Sequence, residues 1–77
     1  MSTVTASVAS IKRHWLRNPY GWVLCYESVD GGPDHDMVTV RRTYRGAQAG
    51  DLLLKRQEAR QHYAAQRAVG FVAPTDF

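Results

Sequence analysis

Apolar and polar residues alternate through the first half of the chain, and that alternation predicts strands. From Thr3 to Val8, Val4, Ala6 and Val8 fall on one side and Thr3, Thr5 and Ser7 on the other, the period of a half-buried strand. Val4, Val8, Ile11 and Trp15 also stand at helical spacing, but the β-branched and hydroxyl content favours a strand over about residues 3–11. Asn18-Pro19-Tyr20-Gly21 predicts a turn. A second strand follows over 22–29, with Trp22, Leu24 and Tyr26 on one face and Val23, Cys25 and Glu27 on the other. Asp30-Gly31-Gly32-Pro33 breaks it, and 37–44 returns with Val38, Val40, Arg42 and Tyr44 on one face and Met37, Thr39, Arg41 and Thr43 on the other. The connecting loop is too long for a two-residue turn, so turn chemistry leaves the register open.

The second half changes period. Arg45 to Gly50 is small and flexible in composition, Asp51 is a good N-cap, and Gly70 is a good residue to follow a helix end. Between them lie residues 52–69, rich in Leu, Ala, Gln, Arg and Glu and free of Gly and Pro. They predict a helix about 27 Å long. The tail, 71–77, has the makings of a short edge strand, limited by Pro74. The expected architecture is α+β: a small antiparallel sheet of three to four strands packed against one amphipathic helix, in a single domain covering 1–77.

Composition narrows the function classes. Seventy-seven residues leave no room for a second core. A hydrophobic content of 44% argues against disorder, and the longest apolar runs, such as Leu52 to Leu54, are too short to span a membrane. No apolar stretch near Met1 suggests a secretory signal. Residues 1–22 carry Lys12, Arg13 and Arg17 without an acid, as organelle transit segments do, but their loss would remove much of a domain already near minimum size. The single Cys25 excludes an intrachain disulfide, and a small chain without such staples is expected in a reducing compartment.

The net charge of +3 conceals an asymmetry. Glu27, Asp30, Asp34 and Asp36 make one acidic stretch between a basic N-terminal segment and a basic stretch, residues 37–50, bearing Arg41, Arg42 and Arg45. Asp30, Asp34, His35 and Asp36 are oxygen-rich, but they lack the ligand spacing, the placed glycine and the closing Glu of a calcium loop. His14, His35 and His62 with one cysteine make no zinc spacing, so neither metal nor cofactor is expected. Cys25 has no recognisable base or oxyanion hole, and no phosphate loop, serine elbow or carboxylate pair is present. The chain is therefore expected not to be an enzyme.

What remains is arginine combined with aromatics. At about 100° per residue Arg56, Arg60 and Arg67 fall in one narrow helical stripe. With Trp15, Arg41 and Arg42 they are the candidate partner-binding residues, since Arg and aromatic side chains anchor both protein and phosphate contacts. Two readings follow. The first is a non-enzymatic protein-interaction module whose charge contrast sets register and on-rate. The second is a small nucleic-acid-binding sheet-plus-helix domain, whose layout loosely resembles the arm-binding domains of phage integrases without a shared motif. The acidic stretch at 27–36 speaks against a continuous phosphate-facing surface.

A compact domain of this length, with one sheet, one amphipathic helix, no active-site motif and a charge-rich surface, resembles the small phage-encoded inhibitors of bacterial defence, the anti-CRISPR proteins. The resemblance covers the whole chain as architecture and transfers no residue, because those inhibitors share no signature motif. It implies a CRISPR effector complex as partner, inhibition by blocking target DNA binding, and the cytoplasm of a bacterial host as location. Many such inhibitors are acidic DNA mimics. This chain is basic, which implies docking on acidic protein surface or direct contact with nucleic acid.

Overall fold

A computed structural model describes residues 10–30 and 35–74. The described chain forms β1 (Ser10–Arg17), β2 (Trp22–Asp30), β3 (Met37–Tyr44), β4 (Ala47–Lys55) and α1 (Arg56–Ala68). The strands make one antiparallel meander in the order β1-β2-β3-β4. The α+β class is as the sequence predicts, with β2 and β3 close to the expected bounds. Of the strand expected over 3–11, residues 3–9 lie outside the described residues; Ser10 and Ile11 begin a strand that runs on to Arg17.

Each connection has a local cause. Between β1 and β2, the Asn18 side-chain oxygen accepts hydrogen bonds from the backbone of Tyr20 and Trp22, both at 3.0 Å, which closes the expected turn. Between β3 and β4, Tyr44 pairs with Ala47 across Arg45 and Gly46, whose φ angles are 51° and 87°. Two successive positive φ values define the type I′ hairpin that suits twisted strands. The segment after Tyr44 is thus a tight turn leading straight into β4, where composition suggests a flexible link.

β4 also corrects the helix. Residues 52–55, expected as the first turn of a helix capped by Asp51, belong to the strand. Leu52 and Leu54 pack towards the core while Leu53 is exposed, so a run of three leucines is read with a period of two. The helix starts at Arg56, and the backbone N–H of Lys55 donates to Glu58 Oε1 at 3.0 Å, one half of a capping box. At the other end Gly70 takes φ 113°, Gly70 N–H donates to Arg67 O and Phe71 N–H to Gln66 O. This is a Schellman closure, and its usual apolar contact is Phe71, which is buried. The tail then returns to β1 through paired bonds between Arg17 and Val72, an isolated bridge where a short edge strand is expected.

Strand parity places the core. Leu16, Leu24, Tyr26, Val38 and Val40 face the helix, which contributes Ala59, and Phe71 completes the cluster. Leu16 and Val40 are fully buried. Trp15, the neighbour of Leu16, points to the opposite face and is 46% exposed. Adjacent residues should therefore respond oppositely. Leu16→Ala is expected to cost about 2–5 kcal/mol, comparable to the whole stability of a domain this size, and to leave the chain largely unfolded. Trp15→Ala should cost no more than about 1 kcal/mol. Urea titrations followed by far-UV circular dichroism check this, and equal losses would contradict the parity.

Candidate functional site

The sheet has two unlike faces, and the six candidate residues are divided between them. On the face turned away from α1, Trp15 and Arg41 flank Cys25 as its cross-strand partners on β1 and β3. Among the described residues no element covers this face, and Ile11, Trp15 and Leu53 remain largely exposed on it.

A row of charges crosses the same face. Arg13 Nε lies 2.7 Å from Glu27 Oε2, Arg41 Nη2 lies 3.8 Å from Glu27 Oε1, and Arg41 Nε lies 4.0 Å from Asp51 Oδ2. The order across β1 to β4 is positive, negative, positive, negative. Pairs this exposed add little to stability. They place charges of both signs on the same face as Trp15 and Leu53. Cys25 is buried beneath this layer; burial pushes its thiol pKa up, with Glu27 adding to the shift and Arg13 and Arg41 opposing it. A thiol kept protonated is a poor nucleophile.

The other four candidates lie on the helix side. Opposite Arg42 the pairing register shifts between Arg41 and Thr43, so that β4 bulges at Ala49 and Gly50. Arg42 donates from Nη2 to Ala49 O at 3.1 Å and from Nε to Gly50 O at 3.3 Å, so its guanidinium satisfies the carbonyls of the bulge. Arg56, first residue of α1, donates through Nε and Nη2 to His35 O, while its backbone N–H donates to Asp36 O. Arg60 lies one turn further along and is exposed. Arg67 lies in the last turn, about 10 Å beyond Arg60 along the axis. The predicted stripe exists, but only Arg56 and Arg60 border the same cavity, a groove of about 470 Å³.

That groove runs between β1–β2 and the first half of α1, with His14, Tyr26, Ser28 and Tyr63 among its lining. Tyr26 is its fixed point. The Tyr26 hydroxyl lies 2.6 Å from His62 Nδ1, and the Tyr26 ring meets Tyr63 edge-on at 5.3 Å between centroids. Burial, with Tyr63 adding, pushes the Tyr26 pKa up to about 12, so the phenol keeps its proton. Burial, and secondarily the Arg42 charge, holds the His62 imidazole below its ordinary value of 6.5. Both shifts favour a phenol O–H donating to an unprotonated Nδ1.

The acidic stretch is only partly in view. Lys12 Nζ pairs with Asp30 at 2.9 Å, and that hydrogen bond and charge hold the Asp30 carboxyl below its usual range. Residues 31–34, including Asp34, lie outside the described residues. Among the described residues no three His, Cys, Asp or Glu side chains gather to hold a metal ion, and no helix is long and apolar enough to cross a membrane.

Sequence reading did not single out Ile11, Arg13, Glu27, Asp51 and Leu53 for the open face, or His14 and Tyr63 for the groove. Each is brought into place by strand pairing or by the helix return, which a single sequence encodes only indirectly. No family model, curated protein or solved structure matches the chain.

The depressed His62 basicity makes a pH prediction. The unfolded chain takes up this proton near 6.5 and the folded chain only at lower pH, so stability falls as pH drops through that window and levels off below it. His62→Gln should flatten the dependence of the urea midpoint between neutral pH and about pH 5. Tyr26→Phe should destabilise at neutral pH by about 1–2 kcal/mol through the lost hydrogen bond. An unchanged pH slope in His62→Gln would rule out this account.

Proposed function

We propose that the chain is a non-enzymatic protein-interaction domain that binds its partner through the face of the sheet that no described element covers. The observation that carries this reading is the combination of exposed Ile11, Trp15 and Leu53 with the alternating row Arg13, Glu27, Arg41 and Asp51. Apolar anchors beside oriented charges of both signs are what a specific protein interface requires. A phosphate backbone laid across the same face would meet the carboxylates of Glu27 and Asp51. Arg42, Arg56, Arg60 and Arg67 are on the helix side and do not extend the row into a phosphate track.

Size supports a partner that reaches beyond the face. Four strands about 4.8 Å apart, with eight residues rising about 3.3 Å each, present roughly 500 Å². A standard interface takes about 800 Å² from each partner. The outer edge of β4, with no strand beside it among the described residues, adjoins Asp51 and Leu53 and continues the surface. The concrete form of the proposal is the one the anti-CRISPR resemblance implies: an inhibitor that occupies the surface of a CRISPR effector complex and blocks its access to target DNA.

Affinity capture from a bacterial lysate tests the reading with three versions of the chain. Wild type and Gln61→Ala, a change on the exposed side of the helix, should recover the same stoichiometric protein partner. A folded Trp15→Ala/Arg41→Glu variant should lose it. With a purified CRISPR effector complex, the wild type should prevent target-DNA binding and the double variant should not. Equal recovery by all three versions would refute the face assignment. Salt-dependent binding to short duplex DNA or RNA with no protein recovered would favour the nucleic-acid reading instead.

A further inference from the structure

We propose that the groove on the helix side is a binding site for a nucleoside monophosphate unit, separate from the open face. Its chemistry is divided in two. Tyr26, Val38, Ala59 and Tyr63 give an apolar, partly aromatic floor, and Val38, Ala59 and Tyr26 are buried there. His14, Arg56 and Arg60 form a rim of basic side chains, with the Ser28 hydroxyl beside them. A flat base attached to a phosphate matches both parts, and about 470 Å³ lies within the range of small-ligand sites.

The cationic rim favours phosphate over a carboxylate. Arg56 and Arg60 are one helical turn apart, about 6 Å along the axis. Two guanidinium forks at that spacing can share the tetrahedral oxygens of one phosphate, whereas a planar carboxylate is satisfied by a single fork. Arg56 is already oriented by its bonds to His35 O, so little ordering is needed on binding. Arg60 has no ion pair or hydrogen bond among the described residues and is free to turn onto the ligand. Among the described residues no carboxylate lines the groove. Asp30, whose carboxyl lies close enough to respond to Arg56, is engaged by Lys12 at 2.9 Å.

The tyrosines supply the second half of the recognition. The Tyr63 ring is half-buried against Tyr26, and the Tyr26–His62 hydrogen bond fixes that pair beneath the groove. A base stacked on a tyrosine ring gains contact with little sequence preference. The unit can come from a free nucleotide or from an unpaired nucleotide in a single strand, and the chemistry recognised is the same.

Amide-resolved NMR titration of the full chain separates these cases. The probes are adenosine monophosphate, adenosine, inorganic phosphate, a short single-stranded oligonucleotide and a glutamate-rich peptide. Adenosine monophosphate should shift His14, Arg60 and Tyr63 and leave the Trp15 indole unmoved. Adenosine and inorganic phosphate should each bind at least about tenfold more weakly. Arg60→Ala, a change at an exposed position, should weaken the monophosphate about tenfold, and Arg60→Lys less. Tighter binding of the oligonucleotide than of the monophosphate makes the strand the source; equal binding makes it the free nucleotide. No shift at millimolar monophosphate, shifts confined to the Trp15 face, or equal binding of the acidic peptide would each overturn the proposal. Because Trp15 reports the open face and Arg60 the groove, failure at one site is distinguishable from failure at the other.

Discussion

Tyr26 joins the only described helix to the sheet. Its ring is buried at the centre of β2, its hydroxyl reaches His62, and its edge packs on Tyr63 one residue later in α1. That contact fixes which side of the sheet the helix covers. A helix of thirteen residues is about 20 Å long and can roof one face of four strands, and no other described element covers the opposite face. The apolar residues of β2 and β3 at even positions are thereby committed to the core, and the odd positions are left to water or to a partner.

The division of charge follows from the same commitment. Odd positions carry Arg13, Arg41, Glu27 and Asp51, which neutralise one another across neighbouring strands. On the even positions and the helix two cations are spent on backbone, Arg42 on the bulge in β4 and Arg56 on the loop before β3. A net charge of +3 is therefore not a basic surface but two surfaces with different arrangements. One is ordered and nearly balanced. The other is cationic around a groove.

The legible parts of the fold were those where local and tertiary signals agree. β3 alternates because one face is buried, β2 is a β-rich run bounded by turn residues, and Gly70 marks the helix end because a Schellman closure needs a residue tolerant of positive φ. β4 was hidden for the opposite reason. Its Leu52-Leu53-Leu54 run has no polar alternation, and Gly50 interrupts it at a bulge whose purpose becomes visible only with Arg42 opposite. In β1 the inward positions include Lys12 and His14, so the outward-facing Ile11 and Trp15 stand at helical spacing and leave helix and strand in competition there. The arginine stripe on α1 was readable from helical periodicity alone. Its separation from Trp15 and Arg41 was not, because it depends on which face the helix returns to.

The two faces also differ in how tightly they are bound to folding. Side chains of the open face contribute exposed ion pairs and partly exposed apolar surface, terms worth little to stability. Sequence there can change with small effect on the fold, and a partner is then the main constraint on what is kept. The groove has no such freedom. Its floor is made of Tyr26, Val38 and Ala59, which also hold the core, so only its rim, chiefly Arg60 and His14, can vary independently. On the functions proposed, specificity for a protein partner is free to diverge across the sheet, whereas the groove can lose its ligand by rim substitution but cannot be reshaped without loss of stability.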